Sequence, residues 1–265
     1  MVETYMLTIP RKDTYKEFNR IMTWIRKNDI HKWVLGAETG SGGYEHWQMR
    51  VQYRFGFEKL KILFPKAHIE ECSDTWEYET KEGTYWKWDD RPENRMQRFG
   101  KLRYPQKRVL EALETTNDRE VIVWYDEEGK AGKSWLSRAL WERGQAYFTA
   151  GMVSGGAIVQ DVASEYIKHG WRPIVIIDIP RAGKWTPELY EAIERIKDGL
   201  IKDTRYSSQS INISGVKVLV LTNTKPNLDK LSKDRWRIIH QSELMWEEEL
   251  QKTNKGEDPL RPPHG

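Results

Sequence analysis

His46 and Gln48, two residues apart, form the first pair in the sequence whose side chains suit chemistry. Apolar and polar residues alternate from His46 to Tyr53, which predicts a β-strand with the imidazole and the amide on one face. Glu38 ends a preceding apolar run, and the glycine-rich stretch 39–43 predicts a hairpin that brings it near His46. Imidazole nitrogen, amide oxygen and carboxylate suit Mg²⁺ or Mn²⁺. We therefore predict an open metal site formed by Glu38, His46 and Gln48; the alternative is a polar strand face that carries such a pair by chance.

Tyr78 and Lys81, three residues apart, form the second pair. Ser73 is a good N-cap and neither Gly nor Pro occurs over 74–82, so a short helix is predicted with both side chains on one face. A phenol can attack a phosphodiester after losing its proton, and an ammonium can stabilise the phenoxide or the charge on the phosphate. The alternative is that Tyr78 packs at a helix surface and Lys81 is simply solvated.

The third cluster, Gly-Lys-Ala-Gly-Lys-Ser over 129–134, follows an apolar strand and opens a helix. This strand–loop–helix order is that of a P-loop, where backbone N–H groups cradle phosphate. The lysine at the helix start would reach the β- and γ-phosphates of ATP, and the following serine hydroxyl would hold Mg²⁺. The predicted nucleotide-binding residues of this loop are Gly129, Gly132, Lys133 and Ser134.

Two later strands end in polar residues at the edge where the P-loop is expected. Asp178 ends an all-apolar strand over 173–177, the Walker B pattern, and would hold the magnesium shell. Asn223 follows a third apolar strand over 216–221. The strand ends of one sheet would bring both side chains to the nucleotide site.

Taken together, these motifs resemble those of the replication-initiator (Rep) proteins of small circular single-stranded DNA viruses. The resemblance covers Tyr5 to about His240 and is strongest to smacovirus Reps, with nanovirus and circovirus Reps as relatives. A first motif lies on the opening strand at 5–11, a second is His46-Trp47-Gln48, and a third runs from Tyr78 to Lys81.

The resemblance implies a viral rolling-circle initiator with two activities. A metal-dependent HUH-type endonuclease would nick the origin stem-loop in single-stranded DNA, leave a 5′-phosphotyrosine on Tyr78 and a free 3′-hydroxyl, and later rejoin the circle. A superfamily 3 helicase would burn ATP, with Asn223 as the sensor that orients the attacking water. Arg205 and Arg235 are candidates to reach a neighbour's nucleotide, and the alternative for each is a surface or structural salt bridge. An arginine that acts in trans implies a homo-oligomeric ring, which for these Reps is a hexamer. Host replication machinery is an implied partner, in the host nucleus for a eukaryotic host and otherwise in the host cytoplasm.

Three positions depart from the family pattern. Gln48 stands where the wider endonuclease superfamily has a second histidine, Glu127 where a standard P-loop has its first glycine, and Ile179 where the family often has a second acid. Gly129 instead matches a nanovirus-type loop, and nanovirus-type Reps share the Asp-Ile-Pro-Arg form of residues 178–181.

The order of apolar periodicities predicts two domains. Residues 1–94 are predicted to form an α+β domain, which the resemblance sharpens to a ferredoxin- or RRM-like antiparallel sheet with helices, the HUH endonuclease fold. Residues 95–108 are predicted to be a basic linker that carries six cations and no acid, and residues 109–250 an α/β P-loop domain. A disordered tail is predicted over 251–265.

The amino-acid composition excludes some further features, such as a membrane-spanning helix and a disulfide. With 38% hydrophobic and 31% charged residues and no apolar run near the length of a membrane helix, no membrane partner is expected. The single cysteine, Cys72, rules out an internal disulfide. Two other functions fit parts of the pattern: an ATP-driven nucleic-acid remodeller, RNA-helicase-like, whose first domain only binds single strands, and a structural nucleoprotein. The nucleotide-site motifs argue against the second of these.

Overall fold

The protein forms two compact units in a computed structural model that describes residues 2–150, 155–204 and 208–254. The first unit comprises Met1–Gly100 with Glu142–Gly144, and the second comprises Lys101–Trp141 with Gln145–Gly265. Within the described residues, no helix has both the length and the apolar character that a bilayer crossing requires.

The first unit is built on a five-stranded antiparallel sheet in the order β4-β1-β3-β2-β5. Its elements are β1 (Glu3–Pro10), α1 (Thr14–Lys27), β2 (Trp33–Thr39), β3 (Glu45–Tyr53), α2 (Gly56–Leu63), β4 (His68–Glu71), a 3-10 turn (Tyr78–Thr80), β5 (Tyr85–Lys87) and α3 (Pro92–Phe99). Strand β3 is central and pairs with β1 on one side and β2 on the other.

Both faces of β3 are buried, for different reasons. Its apolar side chains pack with those of α1 and α2 in one core, in which Trp47 is only 1% exposed. On the opposite face His46, Gln48 and Arg50 are also buried. Polar groups removed from water need partners, so this second face must be satisfied by neighbouring side chains.

The second unit is built on a five-stranded parallel sheet in the order β12-β6-β11-β8-β7. Its elements are α4 (Tyr104–Glu114), β6 (Val121–Tyr125), α5 (Lys133–Glu142, whose last residue belongs to the first unit), β7 (Ala146–Ala150), α6 (Gly155–His169), β8 (Ile174–Asp178), α7 (Pro187–Asp198), β9 (Leu200–Lys202), β10 (Ser210–Asn212), β11 (Lys217–Thr222), β12 (Trp236–His240) and α8 (Gln241–Asn254). Strands β9 and β10 form a separate antiparallel pair. The inner strand β6 is fully buried, as expected where helices cover both faces of a parallel sheet.

The mixed α/β character predicted from the sequence, with one antiparallel and one parallel sheet, is confirmed. The predicted helix over 74–82 is wrong, because only the 3-10 turn Tyr78–Thr80 forms there. Asp74 accepts hydrogen bonds from the Trp76 indole and from Lys32, and such local side-chain bonds compete with helix formation.

The segment 95–108, predicted to be a linker, is mostly helical. It holds the end of α3 and the start of α4, whose Pro105 occupies the first helical turn. Arg98 in this segment is buried and pairs with Asp90 through both terminal nitrogens at 2.8 and 2.9 Å, so it is not free for phosphate. Of the predicted tail, residues 251–254 end α8, and 255–265 lie outside the described residues.

Replacing Trp47 with alanine should destabilise the first unit by about 3–5 kcal/mol, because it leaves a large cavity in the core behind β3. Hydrogen-exchange mass spectrometry of β3 peptides measures this loss as weaker amide protection. As a control, Trp246→Ala removes a side chain that is 63% exposed and should change protection by no more than about 0.5 kcal/mol. Unchanged protection of β3 in Trp47→Ala would contradict the assigned core.

Candidate functional site

The polar face of the first sheet gathers the three predicted metal ligands on neighbouring strands. Glu38 on β2 lies directly across from His46 on β3, and His46 Nε2 is 3.6 Å from Glu38 Oε2. Gln48, next on the same face, accepts a hydrogen bond of 3.0 Å from Thr8 on β1 through its amide oxygen. All three ligands are buried.

The hydrogen bond made by His46 indicates which ring nitrogen lies toward Glu38. Its Nδ1 lies 3.2 Å from the carbonyl oxygen of Tyr44, which can only accept, so Nδ1 carries the proton. Nε2 is then the ring nitrogen that lies toward the Glu38 carboxylate. The other carboxylate oxygen, Glu38 Oε1, is buried without a hydrogen-bond partner.

The ammonium of Lys81 supplies positive charge to Glu38. Its Nζ lies 2.7 Å from Glu38 Oε2 and 3.6 Å from the centre of the Tyr78 ring. Burial opposes the charged form, but hydrogen bonds to Glu38 and Tyr78 outweigh it and raise the pKa of Lys81. Tyr78 itself is 53% exposed, so its hydroxyl is accessible to a large substrate.

The donor set is small for a metal centre. Among the described residues, no three His, Cys, Asp or Glu side chains are grouped as a metal site would require. The amide of Gln48 is therefore needed to complete three donors with Glu38 and His46. Such a set leaves coordination positions for water and phosphate oxygens, which suits hard divalent cations.

Glycines shape the predicted phosphate loop of the second unit. Gly129 and Gly132 have φ angles of +90° and +89°, in the left-handed region that favours glycine. A Cβ on Gly132 would lie 1.9 Å from Arg103 Nη2, so no larger residue fits without moving that guanidinium. The loop leads directly into α5, which begins at Lys133.

Lys133 is buried at the carboxyl ends of the parallel strands. Its Nζ donates to the carbonyl oxygens of Thr222 at 2.8 Å and Asp126 at 3.3 Å, and lies 3.5 Å from Asp126 Oδ2. Burial lowers the pKa of Lys133, with Asp126 opposing that effect. Asn223 donates to the same carbonyl of Asp126. Lys133 and Asn223 are thus brought together around one backbone group.

Asp178 and Ser134 face a shared cleft. Both line a cavity of about 250 Å³ whose other walls are Ser137, Arg138, Trp141 and Phe148. Burial raises the pKa of Asp178, partly offset by the nearby Lys133. The cleft therefore holds a carboxylate and a hydroxyl of the types that bind magnesium beside a nucleotide.

The structure adds residues that the sequence reasoning missed. Asp126 accepts the Gly129 N–H at 3.0 Å, and Arg181 donates to the Glu128 carbonyl at 2.9 Å, so both brace the loop. The arginine of the Asp-Ile-Pro-Arg run could have signalled this role. Glu127 hydrogen-bonds the Tyr125 hydroxyl, which gives its carboxylate a partner outside the loop.

Arg235 does not have the exposure that a trans-acting arginine requires. It is 4% exposed, and its Nη2 pairs with Glu194 at 3.1 Å and Asp198 at 2.9 Å on α7. Its burial and these ion pairs favour a structural role for Arg235, and its contact with a neighbour's nucleotide stays a prediction. The other candidate, Arg205, lies outside the described residues.

Comparison with known proteins shows that the chain is similar to replication proteins of single-stranded DNA viruses and their satellites. The Para-Rep C7 of Faba bean necrotic yellows C7 alphasatellite is 28% identical over 211 residues, covering 78% of this chain and 68% of that protein. The Para-Rep C6 of Subterranean clover stunt C6 alphasatellite is 24% identical over 237 residues, covering 87% and 76%. The Master replication protein of Subterranean clover stunt virus (strain F) is 25% identical over 177 residues, covering 66% and 59%.

The chain is therefore a homologue of the viral Rep proteins, and the resemblance predicted from its motifs is confirmed. No family model matches the chain. Among solved structures, glutamyl-tRNA reductase from Methanopyrus kandleri aligns with 97% of this chain and 77% of its own, at a TM-score of 0.27 and 11% identity, which is too weak to indicate a shared fold.

Arg235→Met should destabilise the second unit by about 1 kcal/mol, because it removes ion pairs whose acidic partners are half exposed. Hydrogen exchange in α7 measures the loss. Lys233→Met, a neighbouring change at an exposed position, should leave exchange unaltered. A variant of Arg235 with unchanged protection in α7 but no ATP hydrolysis would instead indicate a trans-acting role.

Proposed function

We propose that this chain initiates viral rolling-circle replication as an HUH-type endonuclease joined to a superfamily 3 helicase. It would nick and rejoin single-stranded DNA at the stem-loop of a viral origin and unwind DNA with ATP. The observation that supports this most directly is the continuous contact from Tyr78 through Lys81 to Glu38 and His46. That chain joins a nucleophile, a cation and metal-ligand types on one sheet face.

Glu38, His46 and Gln48 would hold Mg²⁺ or Mn²⁺ in the nuclease site. They fit such an ion because His46 Nε2 and Glu38 Oε2 lie 3.6 Å apart, and the other Glu38 oxygen is buried without a hydrogen-bond partner. A bound ion would polarise the scissile phosphate. The side chains themselves are held by β2 and β3, so the donor set is assembled before substrate arrives.

Tyr78 would carry the transferred strand. Its hydroxyl releases a proton to solvent, the phenolate oxygen bonds to phosphorus, and the P–O3′ bond breaks. The departing 3′-oxygen takes a proton from solvent and becomes the free 3′-hydroxyl. Lys81, held beside the Tyr78 ring, stabilises the phenolate, and attack by a 3′-hydroxyl on the phosphotyrosine reverses the step and closes the strand.

The second unit would bind ATP with Mg²⁺ through Gly129, Gly132, Lys133, Ser134, Asp178 and Asn223. Lys133 now bonds carbonyl oxygens at strand ends, and polyphosphate oxygens offer the same kind of acceptor. Helicase work would require a homo-oligomeric ring, which we propose is a hexamer. Host replication machinery would complete the system, in the nucleus of a eukaryotic host or otherwise in the cytoplasm.

The endonuclease proposal predicts a covalent protein–DNA adduct that Tyr78→Phe abolishes, because phenylalanine lacks the attacking oxygen. Purified protein is incubated with Mn²⁺ or Mg²⁺ and a single-stranded oligonucleotide carrying the stem-loop of its genome, and adducts are resolved on a denaturing gel. Tyr15→Phe, at a tyrosine that is 79% exposed, is the matched control and should form adduct normally.

If no stem-loop oligonucleotide gives an adduct while ATP hydrolysis is intact, the endonuclease assignment fails. The ATP-driven nucleic-acid remodeller, with a first unit that only binds single strands, would then be the better assignment.

Lys133→Ala should reduce ATP hydrolysis at least about 100-fold, because the phosphates lose their main charge partner. Adduct formation through Tyr78 should persist, since the proposed nuclease ligands lie on a different sheet. A coupled phosphate-release assay beside the adduct gel measures both activities. Lys130→Ala, at the other lysine of the loop, should retain hydrolysis within a few-fold. Loss of both activities in a folded Lys133→Ala protein would contradict two separate sites.

A further inference from the structure

A buried ion pair lies on the polar face of the first sheet, beside the predicted metal ligands. Arg50 follows Gln48 on the same face of β3 and is 4% exposed, while Glu79 follows Tyr78 directly and is 1% exposed. Arg50 Nε donates to Glu79 Oε1 at 2.8 Å. Neither residue touches Glu38 or His46 through a hydrogen bond in the described structure. The pair therefore stands next to the proposed chemistry without being part of it.

Arg50 secures the segment before the nucleophile as well as the turn itself. Its Nη1 donates to the backbone carbonyl of Ser73 at 2.6 Å, so one guanidinium binds two points six residues apart along the chain. The fork geometry of arginine suits such a two-point contact, and lysine cannot reproduce it. Arg50 thereby connects the segment between β4 and the 3-10 turn to strand β3.

The turn is also fitted to the sheet through its main chain. A Cβ placed on Gly36 would lie 2.3 Å from the carbonyl oxygen of Glu79, so the turn approaches β2 more closely than any side chain would permit. Gly36 pairs with Gln48 across the strands. The backbone next to Tyr78 thus rests on the strand pair that carries the ligands.

Local structure alone would not hold Tyr78 in place. The turn is three residues long and has no side-chain hydrogen bond at its N-cap. Nor is the ion pair easily explained as a stabilising device, because removing two charges from water costs about as much as their attraction returns. Burial indeed raises the pKa of Glu79, with Arg50 opposing that effect. What the pair does provide is a fixed position for the turn.

We infer that the Arg50–Glu79 ion pair positions the nucleophile, by holding the turn so that Tyr78 and Lys81 face Glu38 and His46. This inference rests on the proposed endonuclease function. Arg50 and Glu79 are positioning residues, since neither touches the reacting atoms. They determine how often the phenol lies in line with the scissile phosphate. Replacing them should therefore change the rate of the covalent step and leave the affinity for DNA unchanged.

The test is single-turnover adduct formation by the full chain carrying Arg50→Met and Glu79→Leu together. Replacing both charges with apolar groups leaves no unpaired buried charge, so this variant is expected to fold with an unchanged melting temperature. Its adduct rate should fall about 10- to 100-fold, while its dissociation constant for an uncleavable stem-loop oligonucleotide stays within about 2-fold. Arg54→Met, the same change at an exposed position just after β3, should leave the rate unaltered.

Arg50→Lys provides a second variant if the double replacement does not fold. It keeps the charge but cannot reach both Glu79 and the Ser73 carbonyl, so the adduct rate should again fall with little change in affinity. A folded double variant that forms adduct at the wild-type rate would overturn the inference and leave the pair a purely structural feature. Absence of adduct with the wild-type chain is a different result, which would overturn the endonuclease function and this inference with it.

Discussion

The buried carboxylate of Glu38 is the constraint on which the arrangement of the first unit depends. Only 3% exposed, it cannot rely on water and must find positive charge or donors within the protein. Lys81 supplies that charge, and His46 lies near the same oxygen from the neighbouring strand. One buried anion therefore brings Lys81, close to the proposed nucleophile, and His46, a proposed metal ligand, to the same point.

The second unit contains the opposite case, a buried positive charge. Lys133 is a buried cation, and strand-end carbonyls together with Asp126 surround its ammonium with acceptors. In the first unit the buried anion Glu38 is paired with a cationic side chain, and in the second the buried cation Lys133 is surrounded by oxygen acceptors. Each centre is thus already polarised toward the kind of group it would bind, a metal ion in one and a polyphosphate in the other. Preorganisation of this kind reduces the reorganisation that binding would otherwise require.

Sequence reasoning succeeded where short-range pattern controls geometry. Alternation along β3 correctly placed His46 and Gln48 on one face, and the strand–loop–helix order located the loop before Lys133. It failed where contacts between residues far apart in the sequence determine the local structure. The predicted helix around Tyr78 loses to Asp74 hydrogen bonds and to an arginine far away in sequence, and the burial of Arg235 follows from α7. A basic composition likewise gave no sign that Arg98 is enclosed by an ion pair with Asp90.

The central position of β3 in its sheet affects which parts of the first unit open locally at low free energy. His46 and Gln48 sit on a strand paired along both edges, whereas the nucleophile turn leads into β5, an outer strand of three residues. Outer elements open locally at lower free energy than central ones. The turn that carries Tyr78 therefore depends more than β3 does on side-chain contacts, such as the Arg50–Glu79 ion pair, for its position.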